Sequence, residues 1–128
     1  MMKDTIVSGQ ELELTDTVRE TDTARTYGSG LLDVYSTPAM VAFMEKTSMQ
    51  LVQPQLEKGF GTVGMSLDIK HKKAVPVGGK IKCISRLAVR DGNRLSFEVR
   101  VYHGTDIIGE GKHMRYIIDE KRFLAGIK

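Results

Sequence analysis

Over residues 11–18 the chain alternates polar and apolar side chains, Glu-Leu-Glu-Leu-Thr-Asp-Thr-Val. A period of two places one set on each face of a strand, so a half-buried first strand is predicted there. Residues 19–30 are polar and lose any period, closing on Tyr27-Gly28-Ser29-Gly30 with two glycines free to take positive φ. They read as a mobile loop, a candidate lid. The period then lengthens. Met40, Val41, Phe43, Met44, Thr47, Ser48, Leu51 and Val52 recur at spacings of three and four, which makes one apolar stripe along a helix that faces a sheet. Ser36-Thr37-Pro38 supplies a capping hydroxyl followed by proline at the first helical position, and Lys58-Gly59 supplies a cationic last turn and a stop. The helix is therefore predicted to run from residue 38 to 57 or 58, with Pro54 kinking or ending it near Gln53 and a last turn re-formed beyond.

Four β-rich runs follow, at 64–74, 79–90, 94–103 and 106–118. Pro76-Val77-Gly78-Gly79, Asp91-Gly92-Asn93 and His103-Gly104-Thr105-Asp106 separate them as turns. One strand, one long helix and four antiparallel strands in a meander make an α+β domain, because helix and strands are segregated along the chain. A lone helix covers one face of a five-stranded sheet and leaves the sheet edges open, which pairing between two copies would close. The basic tail, 120–128, has Phe123 and Leu124 as its apolar anchors and receives no place.

Composition narrows the setting. The 128 residues suit one domain of ordinary core size, with 41% hydrophobic and 27% charged residues, which excludes a disordered or low-complexity chain. The single cysteine, Cys83, forms no internal disulfide, and no Cys/His cluster has zinc-ligand spacing, so no metal site is expected and a reducing, cytoplasmic location is. Met1-Met2-Lys3-Asp4-Thr5 lacks the apolar core of a signal peptide, and no stretch is long and apolar enough for a membrane span. A net charge of +3 is mildly basic. The cluster Lys70, Lys72 and Lys73 admits a nucleic-acid module as a competing class, but no aromatics are spaced along a strand for base stacking.

Polar residues set within apolar faces carry the candidate chemistry, because burying an unpaired ionisable group is costly. Glu45 lies on the shoulder of the helical stripe, eight residues from Thr37, or about 12 Å of rise along a helix. The two share a side of the helix and could reach opposite ends of one cavity. Alternatively, Thr37 is an N-cap and Glu45 a solvated residue. In Leu67-Asp68-Ile69-Lys70-His71 the alternation turns His71 toward the helix with Leu67 and Ile69, as a base or as a satisfied core histidine. His113 and Arg115 share a strand face with Gly109 and Gly111. That pattern fits close approach of a phosphate-bearing ligand, or a bulge beside a solvated basic face. Gly109-x-Gly111 lies inside a strand with no helix after it, so it is no dinucleotide fingerprint.

The order of a strand, a Thr-capped helix, Thr37-x7-Glu45, Gly64 and His71 resembles the hotdog-fold acyl-CoA thioesterases, closest to the branch that includes fluoroacetyl-CoA thioesterase. The likeness runs from about Thr37 to Phe123. It implies a five-stranded antiparallel sheet wrapped around one long helix in a single domain, and a homodimer, or a dimer of dimers, with acyl-CoA at the subunit interface. It implies Thr37, Glu45 and His71 as the catalytic set and Gly64 as an oxyanion donor. Leu31, Tyr35, Lys112, His113 and Arg115 would bind substrate together with Gly64, Arg115 and Lys112 coming first at the CoA phosphates. No cofactor beyond the substrate's own CoA is implied. The branch is associated with an aromatic lid residue where this chain has Leu31; selectivity for a fluorinated acyl group is therefore not implied, and the expectation is a short or medium acyl group or an unassigned thioester. A non-catalytic acyl-CoA-binding protein of the same fold is the alternative. A hydratase of that fold fits less well, because the helix has no histidine.

Overall fold

The computed structural model describes residues 5–127; Met1–Asp4, where the absence of a signal segment was read, and Lys128 of the basic tail lie outside them. Strand β1 (Glu11–Thr17) forms where the alternation runs, with Leu12 and Leu14 half-buried and Glu11 and Glu13 exposed. After the long helix come β2 (Phe60–His71), β3 (Lys80–Asp91), β4 (Arg94–His103) and β5 (Asp106–Asp119). All pairings are antiparallel, in the order β1-β3-β4-β5-β2.

That order corrects the expected four-strand meander. Only β3, β4 and β5 follow one another through tight turns, at Gly92 and Gly104, whose φ values of 60° and 62° suit glycine. The connection between β2 and β3, residues 72–79, is longer and closes no hairpin. It carries the chain across the sheet instead, held by Tyr35 N–H donating to the Val75 carbonyl at 2.8 Å. Strand β2 is left at the far edge beside β5, and its other side has no strand partner among the described residues.

Residues 19–30, expected as a mobile loop, are folded. A 3-10 turn (Glu20–Asp22) leads into the short helix α1 (Ala24–Tyr27), capped by the Thr23 hydroxyl and ended at Gly28 with φ 74°. Ala24 and Arg25 then donate to the carbonyls of Val34 and Leu32, closing the segment on itself. The long helix α2 spans Thr37–Val52, shorter than expected, and Pro54 sits in a 3-10 turn (Gln53–Gln55) that follows it. Its missing N–H and fixed φ end the α-helical ladder. The tail forms the helix α3 (Glu120–Ala125), capped by Asp119.

The inner stripe of α2, including Met40, Phe43, Met44 and Val52, packs on Leu87, Phe97 and Val99 of the sheet. Removing these side chains from water is the main stabilising term, at roughly 1.5–3 kcal/mol for each large one. Polar members of the stripe are satisfied: Ser48 donates to the Met44 carbonyl and meets Ser85 at 2.7 Å. No helix among the described residues is long and apolar enough to cross a membrane.

Candidate active site

The N-terminus of α2 corrects the reading of Thr37 as the cap and Pro38 as the first helical residue. Ser36 is the cap, its Oγ accepting from the Ala39 N–H at 3.1 Å. Thr37 is the first residue of the helix, so its hydroxyl is not used for capping. It lies 2.8 Å from His71 Nδ1. His71 ends β2 on the inner face, with the edge of the Tyr35 ring system against it at a centroid distance of 6.1 Å. Burial lowers the His71 pKa from its ordinary 6.5, offset only in part by the Lys73 backbone. The ring is therefore neutral at pH 7, the form that accepts a proton. Its other nitrogen, Nε2, is buried and has no hydrogen-bond partner among the described residues. Thr37 and His71 open onto a cleft of about 370 Å³ that Tyr35, Ser29, Lys72 and Lys73 also line. The Tyr35 hydroxyl is kept protonated there, its pKa raised by burial first and by Asp22 and Asp16 next.

A second polar cluster occupies the other end of β2. Met65 has no partner on β5, because the register shifts between Gly64 and Ser66. Strict alternation from Leu67, Ile69 and His71 would turn Gly64 outward; the extra residue turns Thr62 and Gly64 inward instead. Gly64 then faces Glu45, so closely that a Cβ built on it would lie 2.7 Å from Glu45 Oε2. Glu45 pairs with Arg115, Oε2 to Nη1 at 3.6 Å, with the arginine side chain only 9% exposed and the glutamate 39%. Arg115 also donates from Nε to Thr62 Oγ1 at 2.8 Å and from Nη2 to the Thr62 carbonyl at 3.0 Å. Its Nη1 lies 3.2 Å from His113 Nε2, and His113 Nδ1 lies 2.9 Å from the Ser66 carbonyl.

One chain does not bring Thr37, Glu45 and His71 together. Gly64 pairs with Arg115 and His71 with Gly109, which puts the two clusters roughly 20 Å apart along the strand. Glu45 acts on His113 and Arg115, whereas no carboxylate among the described residues acts on His71. The remaining expected residues divide in the same way. Tyr35 lines the cleft. Leu31 is 85% exposed and is absent from the cleft wall. Lys112 points from the outer face of the sheet, opposite Asp68 and Glu98. Arg115 and His113 are buried inside the chain and turned to Glu45, so they are not open to a phosphate.

The space beside Gly109 and Gly111 is filled by the chain itself: a Cβ at Gly109 would overlap the Met40 sulfur, and one at Gly111 would overlap the backbone of β2. Sequence reasoning missed Thr62 and Ser66, the anchors of the Arg115 cluster, and misassigned the cap that Ser36 provides. Thr62 carried a signal, its spacing of two from Gly64. Lys72 and Lys73 entered only as a charge cluster, yet both line the cleft; their exposed ammonium groups pair with Glu110 and Asp106. Among the described residues no group of three or more His, Cys, Asp or Glu side chains is placed to hold a metal ion.

Comparison with known proteins agrees with this architecture. The fluoroacetyl-CoA-specific thioesterase family model matches residues 18–121. The fluoroacetyl-CoA thioesterase of Streptantibioticus cattleyicolor is 33% identical over 96 residues, covering 75% of this chain and 69% of its own. A crystal structure of a point mutant of the fluoroacetyl-CoA-specific thioesterase FlK superposes with a TM-score of 0.90 at 30% identity, covering 96% of both chains. A mutant of FlK in complex with fluoroacetate and CoA gives 0.87 at 28% identity, covering 92% of this chain and 99% of that one. The expected hotdog arrangement is the observed one, and the chain belongs to the fluoroacetyl-CoA-specific thioesterase family, a family of thioester hydrolases.

Proposed function

We propose that the protein hydrolyses the thioester of an acyl-CoA carrying a short or medium acyl group, at a site shared by two copies of the chain. The observation that carries this reading is the 2.8 Å contact between Thr37 Oγ1 and His71 Nδ1 at the mouth of an open cleft. A hydroxyl released from capping and held on a neutral, partly buried imidazole is an activated oxygen.

The attacking oxygen is Thr37 Oγ, or a water held beside it. His71 Nδ1 takes its proton as the bond to the thioester carbonyl carbon forms, and returns that proton to the CoA sulfur as the C–S bond breaks. On the threonine route, water then attacks the acyl-threonine ester with His71 again as base, and the imidazole returns that proton to Thr37 Oγ as the ester C–O bond breaks, giving the free acid. The developing oxyanion is met by the Thr37 N–H at the α2 N-terminus, where Pro38 has no N–H and that of Ala39 is held by the cap, and by the Gly64 amide of a second copy. Lys72 and Lys73, at the rim, exchange their carboxylate partners for CoA phosphates.

Glu45 and Gly64 stand too far from Thr37 and His71 to serve them within one chain. Strand β2 has an open edge and carries Gly64 near one end and His71 at the other. Pairing β2 with its own copy about its middle, antiparallel, sets His71 and Thr37 of one chain beside Gly64 and Glu45 of the other. In that homodimer the partner's carboxylate orients the attacking water or the imidazole.

The test is release of free thiol from acetyl-, haloacetyl-, branched, aromatic and medium-chain CoA esters, repeated with Thr37→Ala, Glu45→Ala and His71→Ala. Turnover of at least one ester, with losses of about 100-fold or more in the folded variants, supports the reading. Tight binding of every ester without thiol release makes the protein a carrier of acyl-CoA instead.

A further inference from the structure

We propose that Arg115 is a positioning residue: anchored by Thr62 and His113, it fixes the Glu45 carboxylate against Gly64. The inference rests on the reading of Glu45 given above and adds the device that sets where its oxygens stand.

The proton pattern of the cluster has one solution. The Ser66 carbonyl can only accept, so His113 Nδ1 carries the hydrogen and Nε2 presents a lone pair. Arg115 Nη1 donates to that lone pair. A second proton on His113 would set two donors against each other, and burial first, then the Arg115 charge, hold its pKa below 6.5. The His113 ring is itself stacked on Phe97, with centroids 6.1 Å apart and planes at 27°. Thr62 grips the other side of the guanidinium with both its hydroxyl and its carbonyl.

Three neutral anchors on three different nitrogens leave the planar fork one orientation. Lysine, a point charge on a flexible stem, could not be held in this way. None of these anchors neutralises the cation, and the carboxylate that acts on it is Glu45. The pair is lopsided, with the arginine inside the sheet wall and the glutamate more than a third exposed. A buried structural ion pair hides both charges. Here the buried charge aims the accessible one.

The experiment is a double-mutant cycle on the full-length protein, scored as thiol-release kcat and KM. Arg115→Lys, Thr62→Val and His113→Gln are each measured alone and in a Glu45→Gln background. Arg115→Lys is expected to lower kcat by about 10- to 100-fold, and Thr62→Val by about 3- to 10-fold, with KM within about threefold. In the Glu45→Gln background the same changes are expected to cost less than about twofold, because the group they position has lost its charge. Equal losses in both backgrounds, or losses confined to KM, overturn the proposal. Wild-type kcat in Glu45→Gln alone overturns the reading of Glu45 instead, a separate result. Should Arg115→Lys not fold, Thr62→Val decides: it keeps the side-chain shape and removes only the hydroxyl that accepts from Nε.

Discussion

Adding one methyl group at Gly64 tests whether the close approach of Glu45 to β2 matters for turnover. A Cβ there would stand 2.7 Å from Glu45 Oε2, while its contacts with Arg115 Nη1 and His113 Cε1, both 3.4 Å, are ordinary. Backbone strain does not enter, since Gly64 is not among the positive-φ glycines. The carboxylate is the flexible partner and must retreat by about 0.7 Å to restore a 3.4 Å contact. A displacement near 1 Å at a reacting centre costs about 100-fold. Gly64→Ala should therefore lower kcat by about 10- to 100-fold, equivalent to about 1.4–2.7 kcal/mol of barrier. A shifted glutamate rotamer costs about 0.5–1.5 kcal/mol, so Tm should fall by no more than about 6 °C. The assay is thiol release on the best ester of the panel, alongside thermal unfolding of the same preparation. A folded Gly64→Ala protein with kcat within threefold of the parent would refute the reasoning, because the carboxylate would have moved without consequence.

Mixing Thr37→Ala with Glu45→Ala chains, each inactive alone, should restore activity in about a quarter of the sites after subunits exchange, since a two-fold dimer pairs half the chains across types and completes one of their two sites; no recovery would place the whole site within one chain. Ser36→Ala should cost about 1 kcal/mol of stability through the lost cap, whereas Thr37→Ala should leave stability nearly unchanged and abolish turnover; urea unfolding and the thiol assay read the two effects separately. His71 and His113 both have pKa values lowered in the fold, by burial first, so the unfolded chain binds protons more readily. Stability is then fully present above the unfolded value of about 6.5 and lost as pH falls toward the folded values. Urea midpoints between pH 5 and 8 should show that slope, and His113→Gln should flatten it.

The elements that the sequence made legible are those set by local pattern. β1, the inner face of α2 and the hairpins at Gly92 and Gly104 follow from side-chain period and turn chemistry, which act within a few residues. The place of β2 at the sheet edge was not legible, because it depends on contacts distant in sequence, such as that of Tyr35 with Val75 on the connection 72–79. The site divides along the same line. His71 could be assigned to the inner face since it lies in register with Leu67 and Ile69. Thr62 escaped notice because one unpaired residue reverses the phase between them. Arg115 was read as a phosphate ligand because a cation beside glycines looks open in one dimension; in three, Met40 and β2 occupy the gap.

The unpaired Met65 also bears on which changes in length this chain tolerates. Deleting it would give β2 an unbroken alternation, and by the rules of strand regularity a better strand. The same deletion would rotate the stretch before it by half a turn, sending Thr62 and Gly64 to the outer surface and leaving Arg115 without its anchors. Sheet regularity and chemistry thus pull in opposite directions at a single codon. A one-residue deletion there would take Thr62 and Gly64 away from Arg115 and Glu45, whereas an indel in the connection 72–79 would leave the phase of β2 untouched.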